Sequence, residues 1–158
     1  MEMPIPHDNS NIVSSWDVLN GQEVTGDCVV IGGGLVGAET AEYLANKGHQ
    51  VTIVEMMDKI AAGESTTVLP LMMKDFADHN VKQLVNTKVD HIENNIVYTE
   101  NEQIKADTII NALGSKKNIF DDSSITIPHV CVGDCSGERT ADIASAIRTA
   151  YKAANEIG

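Results

Sequence analysis

The sequence predicts an α/β fold in which a parallel sheet carries helices on both faces and is joined by an antiparallel β-meander. Three observations carry that expectation. Asp27 to Ile31 and Gln50 to Val54 are short β-branched runs on either side of a stretch with helical spacing, a strand–helix–strand unit of about 30 residues. Lys88 to Glu93, Ile96 to Glu100 and Gln103 to Lys105 are short segments separated by Asn94-Asn95 and Asn101-Glu102, the spacing of hairpin turns. Thr108 to Leu113 then returns to a buried strand that ends at Gly114.

From Met1 to Gly26 the chain is loop-like, with Pro4, Pro6, Asn9 and Asn11; a short helix is expected at Ser15 to Leu19, stopped by Asn20-Gly21. This segment reads as a lead-in, outside the core. Asp27 to Ile31 is the first core strand, apolar from Cys28 onward as buried parallel strands are. Leu35 to Lys47 places Ala38, Ala41, Leu44 and Ala45 at helical spacing, with Gly48 where a helix ends. Val68 to His79 is a second helix starting near Pro70, and Val81 to Leu84 a third strand. Ile125 to Val132 reads as a strand, and Ala141 to Ile157 as a helix with Ile143, Ala146, Ile147, Ala150, Ala154 and Ile157 on one face.

A length of 158 residues holds one ordinary domain with trimmings. The formal net charge of -12 repels nucleic-acid phosphate and anionic membrane surfaces, so neither is an expected partner. No apolar run approaches the roughly 20 residues of a membrane span. The start is polar and lacks the apolar core of a signal peptide, which makes the cytoplasm the expected location. Cys28, Cys131 and Cys135 form no C-x-x-C pair, and the histidines have no ligand spacing, so no metal is expected.

Gly32-Gly33-Gly34-Leu35-Val36-Gly37 fits the G-x-G-x-x-G pattern. Alone it is a weak signal, but here it follows a strand and opens a helix. Gly32 can then make the tight turn, Gly34 can admit a pyrophosphate, and Gly37 can let helix and strand pack closely. The helix start faces the phosphates with unpaired N–H groups and its positive dipole end. Glu55, 21 positions after Gly34 at the end of the next strand, supplies the carboxylate that accepts ribose hydroxyls and repels a 2′-phosphate. Met56, Met57 and Asp58 offer no arginine to such a phosphate, so this Rossmann-like unit is expected to prefer NAD(H) to NADP(H). A methyltransferase or an FAD site could use similar glycines, though no substrate-domain motif of a methyltransferase follows.

Val29 to Leu44, with that glycine turn, resembles the inner nucleotide domain of two-dinucleotide-binding flavoproteins. Ala106 to Ser115 resembles the strand and turn that close such a domain, and Val130-Cys131-Val132-Gly133-Asp134-Cys135 resembles a late G-D motif. The likeness is greatest to the C-terminal region of the NADH:flavin oxidoreductases of the 2,4-dienoyl-CoA reductase and enoate reductase group, and runs from Trp16 to the last helix. It implies a lead-in linker at 1–26, an NAD(H)-binding domain at 27–115, and a strand and helix left over from an FAD-binding domain at 116–158. It places Ala112 and Gly114 at the dinucleotide and makes Asp134 a former flavin ligand. Val89 would line the adenine pocket or simply belong to the core; Glu39 would lie near the nicotinamide or be a solvated helix acid.

The resemblance implies a parent oxidoreductase that passes hydride from NADH to a flavin to reduce an activated C=C bond. Before Gly32 the chain has no other glycine fingerprint, no barrel of about 250 residues and no iron–sulfur cysteines. The flavin and substrate domains are therefore expected to be missing partners, FAD is not expected to be retained, and the isolated chain should be inactive. No residue stands out as catalytic. The apolar face of the last helix should pair with a second copy or dock on the NAD domain. The rival reading is a non-catalytic Rossmann protein, a redox sensor or adaptor, which would bury that face on its own sheet.

Overall fold

A computed structural model of the chain describes residues 3–63, 65–114, 121–135 and 143–156, apart from the side chain of Asp134. Ser115, Ala141 and Ile157, used in the sequence reading, lie outside these residues, as does most of the junction at 116–124. The chain divides into two compact units, Met1–Gly114 and Ser115–Gly158.

In the first unit, β1 (Ile12–Ser14) runs directly into α1 (Ser15–Leu19). The Ser14 hydroxyl caps this helix by accepting from the Trp16 N–H. The strand–helix–strand unit follows as β2 (Cys28–Ile31), α2 (Leu35–Asn46) and β3 (Val51–Val54). Gly48, with φ +91° just beyond the last turn of α2, ends it as expected. Next come α3 (Leu69–Asp78), with Pro70 in its first turn, and β4 (Lys82–Leu84). The meander is β5 (Val89–Glu93), β6 (Ile96–Thr99) and β7 (Gln103–Lys105), after which β8 (Thr108–Asn111) returns to the main sheet.

The main sheet has the order β1-β8-β2-β3-β4, and every pairing in it is parallel. Because successive side chains of a strand point to opposite faces, the central strands build two cores. Cys28, Val30, Val51, Ile53 and Ile110 pack with Val18 of α1, Ala38, Ala41 and Leu44 of α2, and Met72 and Phe76 of α3. Val29, Ile31, Val54 and Ile109 pack with Val89, Ile92, Val97 and Ile104 of the meander. This is the α/β Rossmann-like architecture that the sequence predicts. One layer differs: the meander, through its buried Val89, Ile92, Val97 and Ile104, covers the face where a second helix layer was expected.

Within the expected linker at 1–26, the described residues from Met3 onward are a structural part of the first unit. β1 extends the sheet beyond β8, Val18 is fully buried, and Met3 enters the second core. Polar bonds stitch the segment to the β5–β6 turn: the Asn95 side-chain oxygen accepts from the Asn11 N–H at 2.7 Å, and the Ser10 hydroxyl accepts from the Asn95 N–H at 2.9 Å. Asn94 and Asn95 both have positive φ, 52° and 59°, which glycine adopts without strain. Asn94→Gly should therefore leave stability unchanged or slightly raised. Asn95→Gly should cost about 1 kcal/mol in urea denaturation, because the Asn11 N–H loses its acceptor. Equal stability of the two variants would show that this bond does not hold the N-terminal segment.

In the second unit, Ile125 to Val132 is not a strand: the described residues offer it no ladder partner, and Pro128 brings no N–H to one. A 3-10 turn at Gly133–Cys135 precedes α4 (Ile143–Glu156). The side of α4 that packs is offset from the expected one. Ala153 is buried and the Thr149 hydroxyl accepts from the Gly133 N–H at 2.8 Å, whereas Ile143 and Ile147 are 80% and 64% exposed. No helix among the described residues is long and apolar enough to cross a membrane, and no group of three or more His, Cys, Asp or Glu there could hold a metal ion.

Candidate dinucleotide site

From β2 the chain winds outward through α2, β3, α3 and β4, and then returns to place β8 on the other side of β2. The direction of winding thus reverses between β2 and β8. In open parallel sheets the crevice at the carboxyl ends of two such strands is where ligands bind. Here that crevice is bounded by Gly32, which follows β2, and Ala112, which follows β8.

Close packing explains two of the glycines. Gly32 has φ +102°, and a Cβ on it would stand 2.7 Å from the Ala112 carbonyl oxygen. A Cβ on Gly37 would stand 1.9 Å from the Gly32 carbonyl oxygen and 3.1 Å from the Ala112 Cβ. The strands hold this corner rigid, since the Gly32 N–H donates to the Val54 carbonyl and the Ala112 N–H to that of Ile31, both at 2.9 Å.

Gly34 is different. It caps α2 in an extended conformation that any residue adopts, φ -65° and ψ -175°, and nothing lies within 4 Å of where its Cβ would be. The fold therefore leaves open space directly over the start of α2. No side chain caps that start, and its first N–H groups have no carbonyl one turn back to bond to. Open space, free donors and the positive end of the helix dipole together fit a pyrophosphate. Leu35 is 42% exposed beside this space and Val36 is half-buried.

Glu55, just after β3, is fixed against the glycine turn. One carboxylate oxygen accepts from the Gly33 N–H at 2.6 Å and the other from the Met57 N–H at 2.7 Å. Its own N–H donates to the Leu84 carbonyl at 2.8 Å, so backbone and side chain are both held. Each carboxylate oxygen retains further acceptor capacity, which suits a ribose hydroxyl, while the charge opposes a phosphate. A clasp that no residue pattern announces completes this corner. The Ala61 N–H donates to the Gly33 carbonyl at 2.7 Å, and Ile60, 6% exposed, packs beside Gly33. Ala61 does so at φ +51°, a conformation that alanine's identity does not advertise.

The remaining candidates are distributed. Ala112 forms the far wall of the crevice, and Gly114, at φ +67°, donates its N–H to the Ala112 carbonyl at 2.8 Å. Val89 is buried in the core between the parallel sheet and the meander. Glu39 is exposed on α2. Asp134 belongs to the second unit, and its side chain lies outside the described residues. A concavity lined by Gln22, Tyr43, Lys47 and His49, among others, lies at the other end of α2 and shares no residue with the glycine turn.

With this geometry in place, the family model described as pyridine nucleotide-disulphide oxidoreductase matches residues 3–129. A bilirubin reductase of Mediterraneibacter gnavus is 45% identical over 97% of this chain and 24% of its own length. A cinnamate reductase of Clostridium sporogenes is 31% identical over 92% of this chain and 23% of its own length. Among solved structures, a 2-naphthoyl-CoA reductase in complex with 2-naphthoyl-CoA superposes with a TM-score of 0.80 at 25% identity, covering 96% of this chain and 24% of that one. The chain spans about a quarter of the length of each of these relatives.

Proposed function

Because the chain belongs to the pyridine nucleotide-disulphide oxidoreductase family, we propose that it is the NAD(H)-binding module of a flavin-dependent oxidoreductase of the 2,4-dienoyl-CoA reductase and enoate reductase type. The observation that carries this reading is the open, donor-rich start of α2 at the β2/β8 crevice, with Glu55 fixed beside it. Two relatives are named for the reduction of bilirubin and of cinnamate. Both molecules contain conjugated double bonds, which supports an activated C=C as the substrate class.

In this reading the N–H groups at the start of α2 bind the pyrophosphate, and Gly34 allows it to approach the backbone. Glu55 accepts the adenosine ribose hydroxyls and turns away a 2′-phosphate. Ala112 and Gly114 form the opposite wall and direct the rest of the dinucleotide along the crevice. When bound, the nicotinamide supplies a hydride to the flavin of the larger enzyme. The chain's own part is placement, and alone it binds NAD(H) without turnover. FAD is not held by the chain by itself in this reading, since the one dinucleotide-type glycine turn of the sequence, Gly32 to Gly37, is given to NAD(H).

Calorimetric titration with NADH, NADPH and FAD tests the proposal. NADH should bind, with NADPH and FAD much weaker. Glu55→Gln keeps an acceptor near Gly33 but removes the charge; it should weaken NADH about tenfold, or 1.4 kcal/mol, and narrow the gap to NADPH. Tight FAD binding, or no dinucleotide binding at all, would overturn the assignment of the glycine turn.

A further inference from the structure

The three cysteines stand in two different environments. Cys28 is 1% exposed on the central strand, and burial, then the charges of Asp27 and Asp107, push its thiol up to about 11. It is therefore an inert core residue near neutral pH. Cys131 and Cys135 are both partly exposed, and the fold brings them together.

An extended chain would separate residues four apart by about 13 Å. Here the 3-10 turn at Gly133–Cys135, with Gly133 at φ +67°, folds the second cysteine back on the first. The Cys135 thiol donates at 2.9 Å to the carbonyl of Val132, the residue that follows Cys131, which brings the two thiols close to each other. α4 holds the turn in place: the Gly133 N–H donates to the Thr149 hydroxyl at 2.8 Å, and that hydroxyl is itself tied to the Ser145 and Ala146 carbonyls at 3.1 and 3.0 Å.

We propose that Cys131 and Cys135 form a reversible intramolecular disulfide, a thiol-exchange site that closes a ring through Gly133 and Asp134. The oxidant is a low-molecular-weight disulfide. One cysteine thiolate attacks it, forming a mixed disulfide and releasing one small thiol. The other cysteine loses its proton and attacks the sulfur of the first, expelling the second small thiol. Two cysteine thiols are oxidised and one small disulfide is reduced to two thiols; a dithiol reverses the sequence. Desolvation, followed by the nearby Cys135 thiol and the Asp122 carboxylate, pushes the Cys131 thiol up. A thiol held in that state is mostly protonated near neutrality, which makes the pair slow to oxidise and persistent when reduced. Once closed, the ring fixes the Gly133–Asp134 backbone against α4.

The experiment treats the full, fully reduced chain with oxidised glutathione, quenches with N-ethylmaleimide, and maps the products by intact mass and peptide mass spectrometry. The expected product is one internal Cys131–Cys135 link, reversed by dithiothreitol and favoured over a double glutathione adduct more strongly in the native chain than in urea. Cys131→Ser and Cys135→Ser should each trap a glutathione on the remaining partner, and Cys28→Ser should link like the parent. Two stable glutathione adducts without a link, a link between chains, the same ratio of link to double adduct in urea, or no reaction would each overturn the proposal.

Discussion

Gly37→Ala is expected to destabilise the first unit by about 3 kcal/mol or more, read as a shift of the urea midpoint at constant slope. The added methyl would stand 1.9 Å from the Gly32 carbonyl oxygen and 3.1 Å from the Ala112 Cβ. Neither obstacle is the end of a flexible side chain. The Gly32 backbone is held by the Val54 carbonyl and that of Ala112 by the Ile31 carbonyl, so relief requires α2 to move off the sheet. That movement would open the packing of Ala38, Ala41 and Leu44, all of which are 1% exposed or less. Alanine's better helix propensity returns only about 1 kcal/mol, so the steric cost decides the sign. A Gly37→Ala chain as stable as the parent would mean that α2 and β2 are not in this contact.

Gly34→Val, three residues away, should have the opposite profile. The site is sterically empty and its backbone conformation is open to any residue, so stability should fall by no more than about 1 kcal/mol, the scale of an N-cap change. NADH affinity should fall on the order of 100-fold or more, because the valine side chain fills the space over the helix start; that factor corresponds to about 2.7 kcal/mol. Denaturation and calorimetry on the same two variants separate the roles. Loss of fold with Gly37 and loss of ligand with Gly34 is the expected pair. NADH binding by Gly34→Val at the parent's strength would place the pyrophosphate elsewhere.

The parts of the molecule that were legible in the sequence are those whose signals are local. The β-branched runs at 27–31 and 50–54, the glycines between them and the asparagine turns of the meander each constrain their own backbone, and each element starts or ends within about two residues of its expected place. What escaped depends on distant partners. β1 has only Ile12 and Val13 to announce it and exists because Ile109 and Ile110 offer a ladder. The meander's place on the second face follows from the burial of Val89, Ile92, Val97 and Ile104, which alternation alone does not assign to a particular sheet. Ile125 to Val132 shows the converse: with no ladder partner among the described residues, the run does not form a strand. At the candidate site, the turn and Glu55 were readable from spacing, whereas the clasp by Ile60 and Ala61 rests on a positive φ that no residue type in the segment signals.

The strand order also sets a timetable for synthesis. β2 lies at the centre of the sheet, yet one of its two neighbours, β8, is encoded about 80 residues later, with Ile31 paired to Asn111. A nascent chain can assemble β2, α2, β3, α3 and β4 while half of the central seam is still without its partner. Only when residues 108–111 leave the ribosome can the seam close along the open edge of β2 and bring Ala112 against the glycine turn. Assembly from such distant contacts is intrinsically slow. The crevice is therefore the last part of the sheet to be completed, and a chain released before Asn111 would have the glycine fingerprint without the wall that makes it a site.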